Sequence, residues 1–113
     1  MSPRRAELLL WAVQRATAVL LAFFVLVHLA TMIYAVHAGL SAAAILARTH
    51  SSLLWPAFYG FFAVVAATHG AIGLRTVAAE WLHWRGRGAD IGMAAIGLVL
   101  AAAGLRAVAA VSF

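Results

Sequence analysis

The chain has 113 residues, of which 66% are hydrophobic and 10% are charged, and its mean hydropathy is +1.03. A soluble fold of this length leaves much of its side-chain surface in water, and this composition has too few polar residues to cover such a surface. The composition therefore excludes an ordinary soluble globular enzyme and favours a chain that lies mostly in lipid.

The net charge of +5 comes from arginines that are scattered at the ends of apolar segments. A nucleic-acid interface gathers its cations on one face, whereas a membrane protein places them beside its spans, so we expect no nucleic-acid partner. The chain has no cysteine, which excludes disulfides, thiolate metal sites and covalent haem attachment through a Cys-x-x-Cys-His motif. Cofactor chemistry must therefore use histidine, carboxylates or backbone.

The first predicted helix covers about residues 8–36. The chain has no charged residue between Arg15 and Arg48. The helix is long enough to cross roughly 30 Å of hydrocarbon. The apolar run is about twice the length of a signal-peptide core and lacks a small-x-small cleavage site, so we expect it to be retained as a helix. Residues 39–52 are more polar and predict a short interfacial helix or loop.

The second predicted helix covers about residues 53–84, with Pro56 in its first turn, where a missing N–H costs nothing. The glycines of residues 85–89 predict a turn, after which Asp90 is expected to cap a third helix over about residues 91–111. The glycines and alanines of this helix allow close helix contact in lipid. We therefore predict an all-α membrane protein in which residues 1–113 form a single domain with three transmembrane helices.

Charge asymmetry predicts the orientation of these spans. The N-terminus and the second loop share the more basic side, so the positive-inside rule places the N-terminus in the cytoplasm and the C-terminus outside, with the bacterial cytoplasmic membrane as the expected location. The more basic side carries Arg4, Arg5, Arg15, Arg75, Arg85 and Arg87, and the other side carries Arg48 and Arg106. Tryptophans are expected at both interfaces, with Trp11, Trp81 and Trp84 inside and Trp55 outside.

Two of the five histidines, His28 and His69, lie deep within apolar helices. A polar ring in hydrocarbon needs a partner, which can be a hydrogen bond to another helix or a bound cofactor. Gly70 and Gly73 follow His69 and clear space beside its ring, as a flat macrocycle leaning on the helix requires. Neutral imidazole is an axial ligand of haem iron, whereas no cysteine or acidic cluster is present for a zinc or di-iron site.

The predicted depths of the two rings decide whether they can share one iron. His28 lies roughly 9 Å outside the membrane midplane, and His69 lies within a few ångströms of it. Two ligands of one iron need nearly equal depth. The sequence therefore leaves two alternatives. In the first, two haems each take one ligand from this chain. In the second, one haem binds His69, and His28 serves packing. Either way, another polypeptide must supply the missing ligands.

Two motifs resemble the membrane-anchor (cytochrome b) subunits of succinate dehydrogenase and fumarate reductase, known as respiratory complex II. They are Gln14-Arg15-Ala16-Thr17-Ala18 in the first helix and His69-Gly70-Ala71-Ile72-Gly73-Leu74-Arg75, followed by Glu80-Trp81, in the second. The resemblance covers nearly the whole chain. It implies flavoprotein and iron–sulfur partners on the cytoplasmic face, and electron transfer between succinate or fumarate and a membrane quinone. Catalysis at the dicarboxylate would belong to those partners, since this chain has no room for flavin or iron–sulfur clusters.

The resemblance also implies roles for individual residues. His69 resembles the family's haem b ligand in the second helix, and Arg75 resembles the arginine that pairs with a haem propionate, although simple snorkelling is the alternative. Arg15 resembles the arginine near the quinone head group and the propionates. Glu80-Trp81 stands where the family often has Asp-Tyr, so these two residues are quinone candidates, with Trp81 equally explained as an interfacial residue.

His28 and His69 also resemble the helix-one and helix-two histidines of di-haem anchors, which serve the outer and the inner haem. Those anchors usually have five helices, so this chain would pair with a second anchor subunit or with a second copy of itself. Two further interpretations remain open. They are a cytochrome b quinone module of another membrane oxidoreductase, and a haem-free small transporter or assembly subunit, although no acidic residue lies at mid-membrane depth as such transporters require.

Overall fold

The computed structural model describes residues 2–50 and 52–113, and these residues form helices without any strand. The helices are α1 (Pro3–Ala38), α2 (Ala42–Thr49), α3 (Leu54–Trp81) and α4 (Arg87–Ser112). Three of them, α1, α3 and α4, are long and apolar enough to cross a membrane. The predicted all-α fold class with three spans is therefore confirmed, and α2 occupies the segment expected to form a short interfacial helix or loop.

Local signals explain where the first two helices begin and end. The Ser2 hydroxyl accepts a hydrogen bond from the Arg5 N–H at 3.3 Å, and Pro3 fills the first helical position, so α1 begins before the predicted residue 8. Gly39 ends α1 with a φ of +101° that glycine adopts without strain. The Ser41 hydroxyl then caps α2 by accepting a hydrogen bond from the Ala44 N–H at 3.1 Å.

The turn between α3 and α4 differs from the prediction at both of its ends. Helix α3 ends at Trp81 rather than near residue 84, because His83 has a φ of +53° and the Trp84 N–H folds back to donate to the Ala78 carbonyl at 3.0 Å. The prediction that Asp90 caps the third span is wrong. The cap position belongs to Gly86, whose φ is +94°, and Asp90 lies within the first turn of α4.

Helix α3 packs against both α1 and α4, and α2 packs against α4. The α3–α4 interface depends on glycine, because a Cβ atom at Gly97 would lie 2.9 Å from Ala71 Cβ and one at Gly104 would lie 2.9 Å from Ala63 Cβ. Contact at this distance is possible only without a side chain, as in other close helix pairs in lipid. Helices α3 and α4 therefore form a tightly packed hairpin.

The surface of the bundle is unusually large and apolar. Its accessible area is 7860 Å², whereas a compact soluble protein of this mass exposes about 5,900 Å². Large side chains such as Val19, Phe23 and Leu98 are 60–73% exposed. The described part of the chain therefore leaves most of its apolar surface for lipid or for other helices to cover, as expected of a multi-pass membrane protein.

One arginine joins the three long helices at their common end. Arg75 on α3 donates from Nη2 to a Glu7 carboxylate oxygen on α1, and from Nε to an Asp90 carboxylate oxygen on α4, both at 2.7 Å. Because Asp90 lies in the first turn of α4, its negative charge also complements the positive end of that helix dipole. The N-terminal end of α1 and the α3–α4 turn therefore lie on the same side of the bundle.

The glycine contacts predict that Gly104→Leu destabilises the bundle, because its side chain must displace Ala63 in α3. Overpacking of this kind costs about 1–3 kcal/mol, against a gain of up to about 1 kcal/mol from the helix propensity of leucine. SDS denaturation of the purified chain, followed by circular dichroism, measures the change. Ala95→Leu, on an exposed position of α4, is the control, and equal stability of the two variants would contradict the packing argument.

The ion pairs predict that Arg75→Gln lowers stability by about 1 kcal/mol, since each partly exposed pair contributes only a fraction of that. The loss should shrink at high ionic strength. Arg87→Gln is the matched control, because Arg87 forms no ion pair among the described residues. Double-mutant cycles with Glu7→Gln and Asp90→Asn separate the two pairs. A variant Arg75→Gln as stable as Arg87→Gln would show that the ion pairs contribute nothing.

Candidate functional site

The predicted ligand His69 lies on α3, half-buried, and faces α1. Its Nδ1 atom is 3.0 Å from the hydroxyl oxygen of Thr17, which is itself only 7% exposed. This hydrogen bond joins two helices and gives one ring nitrogen of His69 a partner within the chain. Thr17 lies in the motif around Arg15, but no role could be predicted for it, because nothing in the spacing of two separate helices reveals which residues meet.

The proton arrangement of this hydrogen bond follows from the other contacts of Thr17. Its hydroxyl donates to the carbonyl oxygen of Val13 at 2.8 Å, with that of Gln14 at 3.1 Å as the other acceptor. A hydroxyl has one proton, and when this proton goes to one of the two carbonyls, the hydroxyl oxygen accepts a hydrogen bond from His69 Nδ1–H. In neutral imidazole the other nitrogen, Nε2, then has a free lone pair. Nε2 has no hydrogen-bond partner among residues 2–50 and 52–113.

The two glycines beside His69 lie in different surroundings. A Cβ atom at Gly70 would meet nothing within 4 Å, so the space there is open. A Cβ atom at Gly73 would lie 3.4 Å from Nε2 of Gln14, so the amide of Gln14 already occupies this space. Gln14 Oε1 is buried and has no hydrogen-bond partner in the described part of the chain. Gly70 therefore leaves room for a neighbouring group, whereas the space at Gly73 is filled by Gln14.

The second predicted ligand, His28, lies in an aromatic cluster between α1 and α3. Its Nδ1 atom is 3.2 Å from the hydroxyl oxygen of Tyr59, and its ring contacts Tyr59 and Phe62 edge to face, with centroids 5.6 and 5.8 Å apart. Trp55 stacks on Tyr59 at 6.1 Å, and Phe24 contacts Phe62 at 5.7 Å. These contacts give His28 both a polar partner and packing within the chain.

The two histidines lie at different depths, as their partners on each helix show. Thr17 and His28 are separated by about 16 Å along α1, and Tyr59 and His69 by about 15 Å along α3. Metal–imidazole bonds are about 2 Å long, so two ligands of one iron lie about 4 Å apart. His28 and His69 of one chain therefore cannot bind the same iron. In the described residues no group of three or more His, Cys, Asp or Glu could hold a metal ion.

The remaining predicted site residues are only partly brought together. Glu80 and Arg75 line a cleft of about 460 Å³ at the end of the bundle, beside Trp84 and Asp90. Arg15 is exposed, with its guanidinium carbon 5.8 Å from the Trp11 ring centroid. Trp81 is 79% exposed. Arg15 and Trp81 do not line the cleft, so this chain alone assembles no enclosed pocket from Arg15, Glu80 and Trp81.

Several partners of the site residues were not predicted from the sequence. Glu7 and Asp90 hold Arg75, and Tyr59 contacts His28, although each of these residues is unremarkable in its own segment. The one available signal was chemical, since a carboxylate near a helix start and an arginine near the end of an antiparallel neighbour lie at the same level. Charge complementarity could therefore have suggested the Arg75 pairs, but nothing comparable singled out Tyr59.

Comparison with known proteins identifies a matching family. The family model described as the succinate dehydrogenase/fumarate reductase transmembrane subunit matches residues 2–108, which include α1, α2, α3 and most of α4. No curated protein and no solved structure matches the chain. The family match confirms the resemblance predicted from the motifs around Arg15 and His69. The chain belongs to the family of succinate dehydrogenase/fumarate reductase transmembrane subunits.

Proposed function

We propose that the chain is a haem b-binding membrane anchor of a succinate:quinone oxidoreductase and that His69 is an axial ligand of the haem. The observation that carries this proposal is the hydrogen bond between His69 Nδ1 and Thr17, which leaves Nε2 free to bind iron. Metal-binding histidines ordinarily donate their second ring N–H to a neighbouring acceptor in this way. The b haem would carry single electrons between the iron–sulfur subunit and membrane quinone.

The residues around His69 fit such a group. A Cβ atom at Gly70, the residue after His69, would meet nothing within 4 Å, and the helix that carries His69 is predominantly apolar. Among the described residues, His69 is the only nitrogen ligand at this depth. A helix from another polypeptide must therefore supply a second ligand to the iron. This requirement agrees with the large uncovered apolar surface and supports assembly with a second anchor subunit or a second copy of the chain.

Arg75 is the proposed partner of a haem propionate. Its guanidinium group has five N–H donors, of which one from Nε and one from Nη2 are directed at Asp90 and Glu7. Three donors therefore remain for a propionate without loss of either ion pair. Gly73, two residues before Arg75, would serve the same group only if the Gln14 amide moved aside, because that amide lies against it.

For His28, the aromatic cluster supports the alternative of one haem on His69 with His28 used for packing. The Tyr59 hydroxyl and the ring contacts satisfy His28 without any cofactor. A haem on His28 would remain possible through Nε2 if Nδ1 donates to Tyr59. We therefore propose a single haem for this chain. The di-haem arrangement is the alternative, and the variant His28→Ala distinguishes the two.

The proposed quinone site lies at the end of the bundle where Arg75 joins the helices. Glu80 lines the cleft there, Trp81 follows it on α3 and is exposed, and Arg15 is exposed on α1 eight residues after Glu7. Since Arg15 and Trp81 face outward, they would contact a quinone in a site completed by a partner subunit. Flavoprotein and iron–sulfur subunits would bind on this face, which we assign to the cytoplasm because the basic residues of the N-terminal end and of the α3–α4 turn gather there.

We predict that His69→Ala removes haem b from the purified complex, because no other nitrogen ligand of this chain lies at that depth. A pyridine haemochrome assay on the complex, with its subunits counted, measures the haem-to-protein ratio. Copurification of flavoprotein and iron–sulfur subunits tests the complex II assignment, since a cytochrome b of another oxidoreductase would bring different partners. Haem-free wild-type complex would overturn the haem proposal and leave the family assignment standing.

The matched variant is His28→Ala, which removes the other deep histidine. With one haem, the haem-to-protein ratio stays unchanged and only stability falls, because the aromatic cluster loses its polar partner for Tyr59. Loss of a second, spectrally distinct haem in this variant would instead establish the di-haem arrangement. A haem ratio in His69→Ala equal to that of the wild type would exclude His69 as a ligand.

The orientation can be tested by cysteine labelling, because the chain has no cysteine of its own. We predict that a membrane-impermeant maleimide labels Ser52→Cys in intact cells or spheroplasts but labels Ser2→Cys only after permeabilisation. The charge distribution gives this direction, since the N-terminus lies on the more basic side. The reverse labelling pattern would invert the assigned topology, and with it the face on which the soluble subunits bind.

A further inference from the structure

We infer that Thr17 is a positioning residue that fixes both the tautomer and the ring orientation of His69. This inference rests on the proposed function of His69 as a haem ligand and extends it to a residue on a different helix. It depends on the 3.0 Å contact between Thr17 Oγ1 and His69 Nδ1, and on the two backbone carbonyls that accept the hydroxyl proton.

The favoured tautomer is the one in which Thr17 accepts from His69, because the hydroxyl proton has two backbone acceptors of its own. Val13 and Gln14 provide carbonyl oxygens one helical turn before Thr17, so the hydroxyl proton is directed along α1. An imidazole protonated at Nε2 would place two lone pairs against each other at Nδ1 and Oγ1. In an apolar interior such an arrangement has no water to relieve it. The Nδ1–H form is therefore favoured, and it presents the Nε2 lone pair.

The ring orientation is determined by the burial of Thr17. Threonine is β-branched and has restricted rotation about χ1 in a helix, and Thr17 is only 7% exposed between its neighbours. Its hydroxyl oxygen is consequently a fixed acceptor for Nδ1–H, and the plane of the imidazole ring turns only as far as the hydrogen bond allows. A ring held in this way needs less ordering when it binds a metal.

A hydroxyl acceptor also adjusts the electron donation of the ligand. Hydrogen bonding at Nδ1–H raises the basicity of a metal-bound imidazole, and the loss of such partners typically weakens metal binding about 10- to 100-fold. Removing the acceptor should therefore weaken haem retention and make the ferric form less favoured. The reduction potential of the haem should then shift upward.

The experiment compares Thr17→Val, Thr17→Ser and the wild type in the complete complex. Thr17→Val keeps the β-branched shape without the hydroxyl, whereas Thr17→Ser keeps the hydroxyl without the methyl group. The readouts are haem retention during washing with a competing haem-binding protein, the midpoint potential from redox titration, and the low-spin ferric g-values from electron paramagnetic resonance, which depend on ligand-plane orientation. We expect Thr17→Val to lose haem at least about tenfold faster, with a raised potential and shifted g-values.

Thr31 provides the matched control on the same helix. Its hydroxyl donates to the Val27 carbonyl at 2.8 Å, as that of Thr17 does to Val13, but it has no histidine partner among the described residues. Thr31→Val should therefore leave the potential and the g-values unchanged. Thr17→Ser should restore both toward the wild-type values. If Thr17→Val does not assemble, Thr17→Ala replaces it. Because this variant also lacks the hydroxyl, we expect the same shifts in midpoint potential and g-values.

Two results would overturn the inference. Thr17→Val with wild-type potential and g-values would show that Thr17 does not act on the ligand, and a Thr17→Ser variant that behaves like Thr17→Val would assign the effect to packing of the methyl group. Failure of the haem proposal itself is distinguishable, because the wild-type complex would then contain no haem b. Equal loss of haem in Thr31→Val would point to a general weakening of α1.

Discussion

The absence of water from the interior of a lipid-exposed bundle is the constraint on which this structure depends. Each polar side chain at depth must find its partner within the protein. His69 meets this requirement through Thr17, and His28 meets it through Tyr59. The hydroxyl of Thr17 in turn depends on the α1 backbone. Against this requirement, Nε2 of His69 has no partner among the described residues, and this is the basis of the proposed ligand role.

The fold could be predicted from the sequence because its signals are local. Long apolar runs, the glycine turn before α4 and the placement of arginines are all visible along the chain. The site was predictable only in part. His69 and Arg75 were identified as candidates, but the partners Thr17, Glu7 and Asp90 depend on how the helices rotate about their axes, which side-chain packing decides. Asp90 illustrates the difference, since its predicted role as a cap gave way to an ion pair with Arg75.

The bundle contributes to a complex rather than acting as a complete unit. Its apolar surface is larger than that of a compact protein of equal mass, and its proposed haem site offers one ligand instead of two. The residues considered for quinone binding follow the same pattern, because Glu80 lines a cleft while Trp81 is exposed. Both features are explained if a second set of helices covers this chain, in agreement with its membership of a family of respiratory-complex membrane subunits.

The close contacts at Gly97 and Gly104 have a mechanical consequence. These glycines are two helical turns apart, so they bring the backbones of α3 and α4 together along a long seam and make the pair stiff. Helix α1 instead meets α3 through side chains, including Thr17, Gln14 and Phe24. Side chains at the α1–α3 contact can change rotamer, whereas the α3–α4 contact at the two glycines involves backbone atoms that have no rotamers to change. A macrocycle bound beside His69 would therefore be accommodated by side-chain movement on α1, such as that of the Gln14 amide, with the α3–α4 hairpin as the fixed frame.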